Sequence, residues 1–207
     1  MVIIEDIGLA FIHIPKTAGT SIVKWMQENC NGQLLLSPHA GINQLRERNV
    51  VLPKDTQFFT VVRNPFARQL SHYRYHLEMH REIVKNNQQK KIDNPRAVRI
   101  LGELEKGFEH WFLSEQEFVR PEPRWWNYKW TNQCEWIDVA NTHVMKFANL
   151  QNDIQWLFDK TRCYAQLPME NVSGSYKEDY RDHYSQRLRK IVEERHQRDL
   201  VLFDYKF

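Results

Sequence analysis

Glycine is scarce in this chain, at 7 of 207 residues, and cysteine scarcer still, at 3. So little glycine argues against low-complexity or linker-like sequence, and a hydrophobic share of 42% excludes wholesale disorder. Cys30, Cys134 and Cys163 are odd in number and widely spaced, with no CxxC pair and no Cys/His ligand spacing. A disulfide scaffold is thereby excluded, a structural metal is not expected, and free thiols in a reducing cytoplasmic setting are. No stretch approaches the roughly 18 apolar residues that a membrane span needs. The opening run MVIIEDIGLAFIHI carries Glu5 and Asp6 and lacks a basic n-region, so it reads as a strand, not a signal peptide. Charge of one sign is also in short supply. A net charge of +3 does not suggest a dedicated nucleic-acid partner, although local basic clusters can still hold a phosphorylated ligand. With no repeat and no linker, residues 1–207 are expected to form a single domain.

What the chain does have is concentrated at Phe11 to Ser21, FIHIPKTAGTS. Four residues of strand character run into Pro15, then Lys16, Thr17, Ala18, Gly19, Thr20 and Ser21, and Ile22, Val23 and Met26 follow at helical spacing. A strand, a phosphate-sized loop and a helix N-terminus bind anions, because the first helical N–H groups lack internal partners and the dipole is positive there. Gly19 permits close backbone approach, Thr20 and Ser21 add hydroxyls, and Lys16 adds a mobile charge. The spacing is not GxxxxGK[ST], since Lys16 precedes Gly19. An ordinary turn with a lysine in it remains the plain alternative.

Further along, Gln33 to Ser37 reads as a short strand leading to Pro38-His39-Ala40-Gly41, then a polar helix over Ile42 to Arg48. A histidine at a strand's C-terminal end lies where ligand chemistry occurs in open parallel sheets, although a capping or surface role is equally simple. Gln57 to Arg63 (QFFTVVR) has the β-branched and aromatic content of a buried parallel strand, with Asn64 and Pro65 opening a helix. In that helix Arg68, Ser71 and Arg74 share a face. Arg63 and Ser71 are placed to converge on one phosphate, a guanidinium fork plus a hydroxyl, unless the face is merely solvated.

The later chain continues the alternation. Asn86 to Asn94 reads as a loop, Pro95 to Phe118 as a helix, Thr142 to Ala148 as a strand and Asn149 to Lys160 as a helix. Leu167 to Tyr176 is turn-rich, and a helix is expected over 178–198. Pro121 and Pro123 precede a cluster of Trp125, Trp126, Tyr128 and Trp130, which either stacks on sugar faces or tucks a loop onto the core. Alternating strands and helices predict an α/β domain with a central parallel sheet flanked by helices.

HIPKTAGTS closely resembles the 5′-phosphosulfate loop of the sulfotransferase superfamily, in particular its carbohydrate-sulfotransferase branch. RNPFARQLSHY resembles that family's 3′-phosphate motif, an Arg at the strand end and a Ser eight residues later. LLSPHAGINQL is similar to a heparan-type segment whose histidine serves as base, Asn132-Gln133 to an NQ pair near the acceptor, and NVSGSY with the terminal DLVLFDY to the closing loop and helix. The resemblance implies a P-loop-like sulfotransferase fold. It implies 3′-phosphoadenosine 5′-phosphosulfate as donor and 3′,5′-ADP as product, with no metal, and an acceptor hydroxyl on a glycan or glycolipid. Lys16 and the amides of residues 17–21 would hold the phosphosulfate, with Lys16 and His39 catalytic. Arg63 and Ser71 would bind the 3′-phosphate, and Asn171, Ser173, Gly174, Ser175 and Tyr176 would cover the nucleotide. Trp125, Trp126 and Gln133 would face the acceptor. One departure stands out: Ala148 occupies a position that is acidic in many relatives. A P-loop-like kinase or NTPase, or a non-catalytic nucleotide- or carbohydrate-binding protein, are the competing classes.

Overall fold

The apolar N-terminal run folds back on itself. In the computed structural model, which describes residues 1–114, 131–168 and 179–207, strand β1 (Val2–Ile4) and strand β2 (Leu9–Ile12) are joined by a 3-10 turn over Glu5–Ile7. Gly8 closes that turn at φ 56°, a left-handed conformation that costs glycine little, and its N–H donates to the Glu5 carbonyl. The expected single strand is therefore a hairpin, because Glu5-Asp6-Ile7-Gly8 is turn chemistry between two apolar runs.

Two short strands complete one side and the later strands the other. β3 (Gln33–Leu34) is only two residues long, shorter than the expected strand to Ser37. With β4 (Gln57–Val62) and β5 (Thr142–Lys146) it makes a five-stranded sheet in the order β3-β1-β2-β4-β5. β2–β4 and β4–β5 pair in parallel, whereas β1 pairs antiparallel with both β2 and β3. The sheet is mixed, which corrects the expected parallel one. A four-residue turn can join only antiparallel neighbours; parallel ones need a longer crossover.

The residues fall into two compact units. The first holds the sheet, in residues 1–64, 131–168 and 198–206 of those described. Helix α1 (Gly19–Asn29) and the helix α2 (Ile42–Glu47) follow β2 and β3, and β5 is followed by α6 (Leu150–Asp153) and α7 (Gln155–Thr161), with three helices of the second unit falling between β4 and β5 among the described residues. The expected helix over 149–160 is broken at Ile154, and a 3-10 turn, Phe147–Asn149, takes the last two residues of the expected strand and the first of that helix. Val2, Ile4, Phe11, Phe59, Val61 and Met145 form one apolar sheet face, covered by Ile22, Trp25 and Met26 of α1 with Ile154 and Leu157. Trp25 adds a tie, its indole N–H donating to the Ala165 carbonyl at 2.8 Å.

The second unit is helical: α3 (Pro65–Gln89), α4 (Pro95–Leu104), α5 (Phe108–Leu113) and, after a 3-10 turn at Tyr180–His183, α8 (Gln186–Arg195). α3 runs through much of the expected 86–94 loop. The expected 95–118 helix divides at Gly107, whose φ of 109° ends one helix and starts the next. His72, His76 and His80 are buried along α3, with the His72 and His76 Nε2 atoms 3.0 Å apart and Trp111 edge-on to His72. The Tyr184 hydroxyl donates to the Phe66 carbonyl at 2.9 Å. A last short helix, α9 (Gln197–Leu202), carries Asp199 in the first unit. Among the described residues no helix is long and apolar enough to cross a membrane.

Candidate active site

The loop after β2 alternates in hand. Lys16 has φ 69° and Ala18 φ 68°, while Thr17 and Gly19 stay at negative φ. Alternating left- and right-handed residues turn successive N–H groups toward one concavity, a geometry that takes anions. The Thr17 hydroxyl is buried and donates to the Ile14 carbonyl at 2.8 Å, so its side chain holds the turn closed. α1 starts at Gly19, inside the loop and ahead of the apolar positions Ile22, Val23 and Met26. Its first turn closes when the Ser21 and Ile22 amides donate to the Ala18 carbonyl, leaving the amides of Gly19 and Thr20 ahead of that bond. Thr20 is exposed, Lys16 and Ala18 half-buried.

His13 joins this loop to the His39 segment. A Cβ on Gly19 would lie 1.9 Å from the His13 Cδ2, so only glycine lets the helix start so close to that ring. The His13 ring also lies 4.3 Å from the His39 ring, edge-on. The His39 Nδ1 is 3.0 Å from the His13 carbonyl oxygen. A carbonyl only accepts, so Nδ1 carries the hydrogen, and in the neutral ring Nε2 keeps the lone pair. Burial holds the His13 imidazole well below its usual pKa, helped by His39, the Met1 amine and Lys16. His13 therefore stays neutral, and it is a residue that the sequence reading passed over as part of a strand.

The His39 segment is held from a third side by Trp136. The Trp136 indole N–H donates to the His39 carbonyl at 3.1 Å, and the Ile42 N–H donates to the Trp136 carbonyl at 2.8 Å. A Cβ on Gly41 would come within 2.7 Å of that same carbonyl. The Gly41 N–H donates to Gln44 Oε1 at 2.8 Å, which starts α2 directly after the histidine.

Arg63 directly follows β4, which stops one residue short of the expected strand end. Its guanidinium donates to the Lys16 carbonyl at 3.3 Å and lies 4.3 Å above the Phe147 ring, which brings it to the loop. Its backbone is gripped by Gln133, whose Oε1 accepts the Arg63 N–H at 2.9 Å and whose Nε2 donates to the Arg63 carbonyl at 2.8 Å. Gln133 is fully buried, and Asp199 Oδ2 takes both its backbone N–H at 2.7 Å and its Nε2 at 3.1 Å. Asp199 Oδ1 takes the Cys134 N–H at 3.0 Å. Burial and this carboxylate push the Cys134 thiol up to about 11. The Gln133 amide, expected to face the acceptor, is held by the Arg63 peptide and Asp199 and shapes the end of β4.

Ser71 lies half-buried on α3 in the helical unit, one turn from the buried Arg68 and one turn from Arg74, whose Nη2 is 3.0 Å from the His183 Nε2. Ala148 is exposed beside β5, and the nearest carboxylate along the chain, Asp153, accepts the Lys146 N–H at 2.8 Å instead of entering the loop. Trp125, Trp126, Asn171, Ser173, Gly174, Ser175 and Tyr176 lie outside the described residues. Among the described residues no group of three or more His, Cys, Asp or Glu side chains could hold a metal ion.

The sequence profile of the sulfotransferase family matches residues 1–206. The chain belongs to the sulfotransferase family. No curated protein and no solved structure matches it significantly. As a sulfotransferase the protein is a transferase whose family implies a PAPS-type sulfate donor and a hydroxyl-bearing acceptor. The loop of this sulfotransferase suits such a donor. It combines main-chain donors, one mobile cation at Lys16 and a guanidinium at Arg63, all on the carboxyl ends of neighbouring parallel strands β2 and β4.

Proposed function

We propose that this sulfotransferase moves a sulfuryl group from 3′-phosphoadenosine 5′-phosphosulfate to the hydroxyl of a saccharide, with His39 as the base. The observation that carries this reading is His13, which packs its ring on Gly19 of the loop and takes the His39 Nδ1–H on its carbonyl. An anion-binding loop and a histidine with a defined lone pair are thus built on one residue.

When bound, the donor supplies an activated sulfuryl group and a phosphate leaving group. The chain's part is binding, charge and proton transfer. The amides of residues 17–20 and the Lys16 ammonium offset negative charge on the leaving oxygen, which is where preorganised donors act most strongly in group transfer. His39 accepts the acceptor's proton at Nε2, and the Nδ1–H bond to His13 holds the ring in the tautomer that can do so. Arg63 recognises the 3′-phosphate with its guanidinium fork. Ser71 keeps the same role on the strength of its motif. The cations of the protein itself serve in place of a metal. A carbohydrate acceptor rests on the HIPKTAGTS and LLSPHAGINQL resemblances and on the tryptophans at 125–130. We also place the enzyme in the cytoplasm, on its few, oddly numbered and scattered cysteines.

Calorimetric titration with 3′,5′-ADP, 5′-AMP and ATP, on the wild type and on Arg63→Ala, tests the donor assignment. The bisphosphate should bind most tightly and lose about tenfold or more in the variant, the scale of one charge-assisted contact. ATP binding best, and only with Mg²⁺, would overturn it. A saccharide panel assayed for 3′,5′-ADP release, with His39→Ala as control, tests the acceptor and the base.

A further inference from the structure

We propose that Trp136 is a positioning residue for the proposed base: it fixes the His39 peptide so that the imidazole keeps its Nδ1–H on the His13 carbonyl and its Nε2 lone pair toward chemistry. The inference rests on the reading of His39 as base. It adds a residue that no motif in the sequence marks.

Three contacts carry it, all within the sheet-bearing unit. The indole N–H grips the carbonyl of His39 itself, at 3.1 Å. The Trp136 main-chain carbonyl grips the Ile42 N–H, at 2.8 Å, three residues further on. Gly41, in between, passes so close to that carbonyl that a side chain there would collide with it at 2.7 Å. The segment from His39 to Ile42 is therefore clipped at both ends to one residue, itself only 6% exposed. A short loop clipped this way keeps the His39 Cα–Cβ bond aimed so that the ring reaches the His13 carbonyl.

The alternative is that Trp136 merely fills the core. The two differ in what the indole N–H does, so the decisive variant is Trp136→Phe, which keeps an aromatic ring and removes that donor. Gly41→Ala approaches the same contact from the other side, by wedging the loop off the Trp136 carbonyl. With isotope-labelled histidine, the ring nitrogens of His39 report its tautomer directly, without any acceptor. The wild type should show hydrogen on Nδ1; both variants should show a mixture, with amide exchange at residues 40–42 about tenfold faster. Turnover is read as 3′,5′-ADP release with a saccharide from the panel. In both variants kcat should fall about ten- to hundredfold, the cost of a small displacement of a reacting group. Affinity for 3′,5′-ADP should stay within about twofold, since the loop at residues 15–20 makes none of the three contacts. In a His39→Ala background, Trp136→Phe should add no further loss, as expected of a residue acting through His39.

An unchanged tautomer and unchanged kcat in Trp136→Phe, beside a His39→Ala enzyme that has lost turnover, overturns the Trp136 role alone. Loss of 3′,5′-ADP affinity in step with kcat also overturns it, because that is general structural damage. Full turnover in His39→Ala overturns the base assignment, and this inference with it.

Discussion

Gly19 is where the loop has least room. An added Cβ would overlap the His13 ring at 1.9 Å, and that ring is itself packed against the His39 ring. Gly19→Ala should therefore destabilise the fold by about 1–3 kcal/mol, the usual cost of overpacking, and weaken 3′,5′-ADP binding by about tenfold or more. Denaturant titration and calorimetry measure the two effects separately. A variant with wild-type stability and affinity would show that the contact relaxes freely. His13 also sets a pH dependence. Its pKa in the fold is depressed from 6.5 by burial first, then by His39, the Met1 amine and Lys16. The unfolded chain takes up a proton below about 6.5 that the folded ring refuses, so the contribution is present above that pH and is lost as pH falls through the window below it. Urea midpoints at pH 7 and pH 5 should fall with pH in the wild type, and His13→Gln should flatten part of that slope. An identical slope in the variant would assign the effect elsewhere, for example to His80 or His143, whose pKa values burial also lowers.

At the scale of elements, the end of β4 is shaped by residues remote in sequence. Asp199 on α9, fully buried, accepts three N–H bonds from Gln133 and Cys134, and Gln133 in turn brackets the Arg63 peptide. Asp199→Asn keeps the shape but swaps a charged acceptor for an amide that must present its NH₂ to one of those donors. A cost of about 2–4 kcal/mol is expected, near the upper end for a buried charged hydrogen bond left unmet. The melting temperature should drop, and 3′,5′-ADP binding should weaken as Arg63 loosens; a variant of full stability would mean that the carboxylate charge is dispensable. This clamp also marks the limit of what the sequence discloses. The strand-loop-helix at residues 11–26 and the β4 strand were legible, because local periodicity and the small residues Gly19, Thr20 and Ser21 announce them. The Gln133 clamp has no such signal, because its partners lie 66 and 70 residues away, and Trp136 meets His39 across 97. Such pairings leave no local pattern. The hairpin at Gly8 was missed for a different reason: Glu5-Asp6-Ile7-Gly8 is so short an interruption that the apolar runs on either side read as one strand, where a 3-10 turn and the positive φ of Gly8 part them.

For the whole molecule, the family match extends over residues 1–206 and so draws on both compact units, although the contacts that shape the loop, His39 and Arg63 belong to the sheet-bearing one. A donor held by main-chain amides, Lys16 and Arg63 binds the folded chain and not the unfolded one, so its product must raise stability by mass action. At a concentration 100 times its dissociation constant, 3′,5′-ADP should contribute about 2.7 kcal/mol. For a chain of this size that is a rise in melting temperature of about 5–10 °C. The rise should be the same in EDTA as in Mg²⁺, because the charges opposing the phosphates are side chains of the protein. Lys16→Ala should lose most of it while melting, without ligand, near the wild-type temperature, since Lys16 is half-buried and its positive φ is strained for any residue with a Cβ, alanine included. A stabilisation that appears only with Mg²⁺, or that is larger for ATP than for 3′,5′-ADP, would instead describe a triphosphate site. The alternating hand of the loop would then serve phosphate chemistry of a different class.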